Sequence, residues 1–212
     1  MRPGLRLLSV AVGVGIGLGT LSTLGDGIVG GRLVGILGNM AAPWGLGAFV
    51  VGREATSLKR GAAVGALTLV TGVATYYVVA ATRGYVVGSV DLVWTAVALV
   101  AGPVMGSSGA AVTSRPDRAP IVAVVAPSAM LVAEAVFQAI DRRAWRWNLV
   151  AEPYRLIDLG VMVALFLGGF ALAAWLVRDP CRRAATLVAV LTAGILGAGG
   201  LVLLRGLIVR IA

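Results

Sequence analysis

Apolar residues form seven runs along the chain, and short polar segments separate them. Each run is about 20 residues long, the length at which a helix rising about 1.5 Å per residue crosses a hydrocarbon core of about 30 Å. Backbone amides and carbonyls find no water in that core, so each run is predicted to be a helix. The predicted spans are residues 7–24, 33–52, 61–81, 91–112, 119–140, 157–177 and 184–205.

The composition indicates that lipid is the solvent around these helices. Of the 212 residues, 59% are hydrophobic and only 13% are charged. A soluble domain of this length has too small an interior to bury so much apolar surface. The predicted fold is therefore all-α: a polytopic transmembrane helical bundle that forms one integral membrane domain over residues 1–212, with the lipid bilayer as its partner.

The second run is interrupted by polar and helix-breaking residues. Asn39 and Pro43 lie inside it, and glycines at positions 30, 31, 35 and 38 precede the break. Such a segment can be re-entrant, which would leave six spans. Seven spans are preferred, because residues 33–52 are long enough to cross and the three clearest basic turns then share one side.

The basic charge follows the membrane topology and does not indicate a nucleic-acid partner. The net charge is +9, but the 18 cations are spread beside the apolar runs, as charges that flank membrane spans are. With seven spans and a cytoplasmic N-terminus, ten cations lie inside and eight outside. Lys59 is the only lysine, and Ala, Val and Gly are abundant, which indicates a GC-rich bacterial genome. The predicted location is the bacterial cytoplasmic membrane.

Residue types that are missing exclude several kinds of chemistry. Histidine is absent and Cys181 is the only thiol, so imidazole bases, His or Cys metal sites and intramolecular disulfides are excluded. Most hydrolytic mechanisms are excluded with them. No metal or cofactor is expected, and an enzyme is the less favoured class of protein.

Glycines in the first run predict close helix packing. Their spacing lacks the G-x-G-x-x-G pattern of a nucleotide-binding loop, and they lie within a span. Ala11, Gly15 and Gly19 form one small face of the helix, and Gly13 and Gly17 form a neighbouring one. Small faces let helix backbones approach closely in membranes. The contact is predicted to lie within the chain, with a membrane partner subunit as the alternative.

Polar side chains gather in the outer third of the predicted bundle. Asn39 and Glu134 each lie about six residues, or about 9 Å, below the outer ends of their helices. An ionisable side chain inside a span costs about 2.5–3.5 kcal/mol on insertion scales and usually faces the bundle interior. A ligand-binding cavity is therefore predicted, lined by Glu134, Asn39, Gln138, Tyr76 and Trp94. Alternatively, Glu134 is internal glue, either protonated or paired with Arg83 or Arg205.

Three features of the sequence resemble an uncharacterised family of small bacterial multispanning membrane proteins. They are the stretch from Asn39 through Trp44 to Gly52, the Ala- and Gly-rich helix after Arg60, and the later helix with Glu134. This resemblance implies fold and localisation, but no activity. Size and helix count are also similar to the substrate-capturing subunits of energy-coupling-factor vitamin transporters, which use six helices and meet their partner through a small-residue first helix.

Three functions remain open on the sequence. The leading hypothesis is a small-solute-binding membrane protein, a transporter component with an outward-facing pocket. A structural or assembly subunit of a membrane complex is the main alternative, and it would have a filled small face on the first helix and no cavity near Glu134. A membrane-embedded lipid-modifying enzyme ranks third, because Glu134 and Asp158 are acids but the sequence fixes no second acid near either.

Overall fold

A computed structural model describes most of the chain. The described residues are 3–26, 33, 37–38, 40–84, 88–114, 119–141 and 152–211. Within them all regular structure is helical, and seven helices follow one another along the chain. These are α1 (Pro3–Asp26), α2 (Ala41–Arg53), α3 (Leu58–Thr82), α4 (Ser89–Ser114), α5 (Ile121–Asp141), α6 (Glu152–Leu176) and α7 (Pro180–Ile211).

Six of these helices are long and apolar enough to cross a membrane, namely all except α2. The predicted all-α transmembrane bundle is therefore confirmed. The remaining helix, α2, has 13 residues and is about 20 Å long at about 1.5 Å per residue. Leu37 and Gly38 before it are helical, whereas Met40 is extended, with φ −95° and ψ 142°. The predicted span 33–52 is thus broken at Met40.

The broken segment nevertheless runs from one end of the bundle to the other. Gly38 lies against Ser22 near the end of α1, whereas Val51 packs with Ala11 and Leu7 near its start. We call these the Thr23 end and the Leu7 end of the bundle. A re-entrant segment would return to the end it entered, whereas residues 38–51 run from the Thr23 end to the Leu7 end. This direction is the one that the seven-span arrangement requires.

Side chains and glycine define several helix ends locally. Ser57 precedes α3 and its hydroxyl accepts a hydrogen bond from the Arg60 amide at 3.3 Å. Asp179 does the same for α7, accepting from the Cys181 amide at 2.9 Å. At the other end of α3, Gly84 adopts φ +83°, a left-handed conformation that glycine reaches without the strain a Cβ would cause. α2 is different, because its N-cap residue Met40 makes no side-chain capping bond.

Glycines bring α2, α3 and α4 together toward the Leu7 end. A Cβ built on Gly65 would lie 2.8 Å from the Cα of Gly106, and one built on Gly61 would lie 2.6 Å from the Gly106 carbonyl oxygen. Gly52 of α2 approaches the same Gly106 backbone. Small residues allow this backbone contact, which leaves no room for a cavity at the crossing.

The last three helices form the other side of the bundle. Gly169 of α6 and Gly194 of α7 both pack against Val132 of α5. At the Leu7 end, the Arg53 guanidinium of α2 lies 5.2 Å from the ring centroid of Trp175 on α6, a cation–π contact. The two sides of the bundle therefore meet through α5 and through this contact.

Candidate functional site

A cavity of about 200 Å³ opens between the helices at the Thr23 end. It begins one turn beyond the glycine crossing of α3 and α4, where Leu69 of α3 and Ala98 of α4 line it. Its walls are mostly apolar and aromatic and come from α1 to α5. The lining residues are Ser22, Gly38, Met40, Ala41, Trp44, Gly45, Leu69, Val73, Tyr76, Tyr77, Trp94, Val97, Ala98, Ala101 and Met130.

Four aromatic side chains from three helices reach this cavity. Trp44 comes from α2, Tyr76 and Tyr77 from α3, and Trp94 from α4. The two tyrosine rings meet edge to face, with centroids 5.6 Å apart and planes at 73°. Aromatic rings offer a flat apolar surface with a negative face, so the cavity suits a molecule that can stack on them or present a positive charge.

The ring of Trp44 holds its position because α3 carries a glycine beside it. A Cβ on Gly72 would lie 2.8 Å from Cζ3 of Trp44 and 3.2 Å from the Gly15 carbonyl oxygen of α1. Gly45, one residue after Trp44, leaves room in the same way for the Met130 side chain of α5. Gly72 and Gly45 thus leave the space that Trp44 and Met130 occupy in the walls of the cavity.

The Glu134 carboxylate of α5 caps the N-terminus of α2. Its Oε2 accepts a hydrogen bond from the Ala41 amide at 2.9 Å, and its Oε1 accepts one from Nε2 of Gln138 at 2.8 Å. Glu134 is 2% exposed and Gln138 is 7% exposed. The first amides of a helix have no partner within the helix, and α2 has no capping side chain of its own. A side chain from another helix fills that role here.

Two further polar contacts tie α1 to the break and to α3. The Ser22 hydroxyl donates to the Gly38 carbonyl, just before the break. Arg83, which follows α3, donates from Nη1 to the Thr23 carbonyl at 2.8 Å. The rim of the cavity is therefore held by hydrogen bonds to backbone carbonyls, and Arg83 is directed to α1 rather than into the cavity lining.

The structure divides the predicted site residues into two groups. Tyr76 and Trp94 line the cavity. Glu134 and Gln138 are bonded to each other and stand behind Ala41, which does line it. Asn39 lies outside the described residues. Asp158 is buried near the start of α6 and is not one of the lining residues.

Several lining residues were not among the predicted site residues. Trp44 carried a signal, because it precedes Gly52 by eight residues just as Trp94 precedes Gly102, and both tryptophans reach the cavity. No signal in the sequence pointed to the Ala41 amide, because a backbone group looks the same at every position of a sequence. Ser22, Met40 and Met130 were also indistinguishable from ordinary residues of a span.

The small face of the first helix lies against α3. A Cβ on Gly15 would lie 2.5 Å from the Thr68 carbonyl oxygen, and one on Gly19 would lie 2.8 Å from the Thr75 Cβ. Ala11 on the same face is fully buried. The neighbouring face differs, since Gly13 and Gly17 have nothing within 4 Å of a built Cβ.

Fold and site together define a multi-pass helical membrane protein with a cavity between its helices. The chain belongs to the family of unknown function DUF6518, whose family model matches residues 1–207. No curated protein and no solved structure matches it. The family has no assigned activity, in agreement with the resemblance seen in the sequence.

Proposed function

We propose that this protein binds a small solute in the cavity at the Thr23 end and serves as a component of a transporter. The observation that supports this most is the cavity itself, about 200 Å³ in volume and lined by four aromatic side chains. A closely packed bundle fills such gaps with side chains, because each unfilled volume loses dispersion contacts. A purely structural subunit would have no reason to keep this one.

The arrangement of the break also supports a binding role. Interrupted helices in transporters often place backbone groups at a substrate site near the membrane interior. Here the break at Met40 lies in the cavity wall, and Glu134 holds the helix that follows it. A hinge at this point would let the part of α2 that carries Trp44 move when a solute enters or leaves the cavity.

We further propose that the cavity faces outward. With the N-terminus in the cytoplasm of a bacterium, the Leu7 end is cytoplasmic and the Thr23 end is external. A solute would then reach the cavity from outside the cell. The similarity in size to energy-coupling-factor substrate-capturing subunits favours a partner that drives release inward, and the exposed face of Gly13 and Gly17 is where such a partner would dock.

The test is a ligand screen with a matched pair of variants on α4. Ala98 is 3% exposed and lines the cavity, whereas Ala96 on the same helix is exposed. Purified protein in lipid nanodiscs is heated with a panel of small solutes. Solutes that raise the melting temperature of the parent and of Ala96→Phe should have no effect on Ala98→Phe. A panel in which Ala98→Phe responds like the parent would refute binding in this cavity.

A further inference from the structure

The cavity differs in chemistry between its mouth and its floor. Tyr76 and Tyr77 carry hydroxyls and line it toward the Thr23 end, which we call the mouth. Leu69 lies seven residues before Tyr76 on α3, which places it about 10 Å further in at about 1.5 Å per residue. The lining around this floor is apolar and includes Ala101 of α4 and Met130 of α5. A solute that matches this lining has an apolar body and a polar group at one end.

The lining offers no partner for a charged solute. None of the described residues that line the cavity carries a formal charge. Glu134 is bonded to the Ala41 amide behind the wall and is not one of the lining residues. Arg83 near the mouth is exposed and donates to the Thr23 carbonyl. Burial of an ion without an opposite charge is costly, so this lining favours an uncharged solute.

The aromatic rings of the lining favour a solute that carries a ring of its own. A ring face also attracts cations, but this attraction is smaller than the cost of taking an unpaired ion out of water. An uncharged ring leaves water without that cost and packs edge to face or offset on other rings. Tyr76 and Tyr77 already meet in this way, with centroids 5.6 Å apart. Trp44 and Trp94 bring two more rings to the same cavity.

The volume limits the solute to a single ring. A cavity of about 150 Å³ holds a benzene molecule, so the cavity of about 200 Å³ in this bundle holds about eight non-hydrogen atoms. We infer that the solute is an uncharged molecule with one aromatic ring and one neutral polar group, such as an aromatic alcohol. Its ring packs on the aromatic side chains and its polar group lies at the mouth. This assignment rests on the proposed solute-binding function.

The first half of the test varies the charge of a probe at nearly constant size. Benzyl alcohol, benzylamine and benzoate are titrated into the full-length protein in nanodiscs and followed by calorimetry. At pH 7 the amine is a cation and the carboxylic acid is an anion. Ala98→Phe protein in the same nanodiscs measures how much of each probe enters the lipid. After this correction, benzyl alcohol should bind at least roughly tenfold more tightly than either ion.

The second half varies the ring. Cyclohexylmethanol has as many non-hydrogen atoms as benzyl alcohol but no aromatic ring, so it should bind about fivefold more weakly. Trp94→Leu removes one ring from the lining, and since Trp94 is 39% exposed the bundle should keep its melting temperature. This variant should lower the preference for benzyl alcohol to less than about threefold.

Trp175→Leu is the matched control for the ring. Trp175 lies on α6, is 62% exposed and is not one of the lining residues. This variant should keep the fivefold preference of the parent. Trp44→Leu removes a second ring from the lining and should act like Trp94→Leu, provided that its melting temperature shows a folded protein. A full preference in both lining variants would overturn selection by the rings.

The remaining outcomes separate this inference from the proposed function. If benzylamine, benzoate or cyclohexylmethanol binds the parent as tightly as benzyl alcohol, and Ala98→Phe abolishes that binding, the cavity binds solutes but does not select uncharged aromatic ones. If no probe binds the parent, the assignment to single-ring aromatic molecules is overturned. If in addition no solute in the wider panel distinguishes Ala98→Phe from Ala96→Phe, the solute-binding function fails as well.

Discussion

The carboxylate of Glu134 on α5 accepts a hydrogen bond at 2.9 Å from the amide of Ala41, the first residue of α2. These residues are 93 positions apart in sequence. The contact joins a buried acid, a broken membrane helix and the wall of the cavity. It also explains how α2 can begin inside the bundle without a capping side chain of its own, because an unpaired amide there would be costly.

The first prediction separates the charge of Glu134 from its hydrogen bonds. In Glu134→Gln the new amide oxygen can still accept from Ala41, and its NH₂ group can donate to Gln138 once that side chain turns over. Stability should stay within about 1 kcal/mol of the parent. Glu134→Leu removes both bonds and should cost about 2 kcal/mol, because the Ala41 amide is left unpaired. Thermal unfolding in nanodiscs measures both, and equal stability of the two variants would contradict the capping role.

The second prediction concerns the contact between α1 and α3. Gly15→Leu should destabilise the bundle by about 2 kcal/mol, since even a Cβ there would lie 2.5 Å from the Thr68 carbonyl oxygen and the helices would have to separate. Gly13→Leu is the matched control, because Gly13 has nothing within 4 Å. The folded yield and melting temperature of the control should equal those of the parent.

Loss of a co-purifying protein in Gly13→Leu, with a normal yield, would indicate a partner on the exposed face of α1. If Gly15→Leu unfolds at the parent temperature, the close packing described for that face is wrong.

The third prediction tests the position of Trp44. Gly72→Ala places a Cβ 2.8 Å from Cζ3 of Trp44, so it should destabilise by about 1–3 kcal/mol and weaken solute binding. Trp44→Phe provides a smaller ring and should recover part of this loss in the double variant. A coupling of at least about 0.5 kcal/mol in the double-mutant cycle is expected. Gly17→Ala is the control, because a Cβ on Gly17 would have nothing within 4 Å. Purely additive effects would show that Gly72 and Trp44 act independently.

The fourth prediction uses the single thiol to fix the orientation in the membrane. Cys181 is exposed at the start of α7, at the Leu7 end, where Arg182 beside it bonds to the Ala119 carbonyl that precedes α5. If this end is cytoplasmic, a membrane-impermeant maleimide should label Cys181 only in opened cells. With Cys181→Ser as background, Thr82→Cys at the exposed far end of α3 should show the opposite behaviour. Labelling of Cys181 in intact cells would invert the proposed orientation.

The sequence by itself determined the helices. Runs of about 20 apolar residues in lipid have to be helical, because only a helix pairs every backbone group within one segment. That reasoning predicted seven spans, and the structure confirms six of them as long and apolar enough to cross a membrane. Asn39, Pro43 and the glycines before them identified the remaining one, residues 33–52, as irregular. Depth along each helix also predicted that Tyr76, Trp94 and Glu134 lie at the same end of the bundle, where the cavity is.

Only the tertiary structure decided which of these residues meet. Tyr76 and Trp94 line the cavity, whereas Glu134 binds the Ala41 amide behind its wall. The rotation of each helix about its axis settles this, and in a bundle apolar all round no polar stripe in the sequence records that rotation. It is set instead by backbone contacts at glycines such as Gly15 and Gly106. The sequence grouped Gly15 and Gly19 with Ala11 on one small face, but only the structure shows that this face meets α3 and that Gly106 meets α2 and α3.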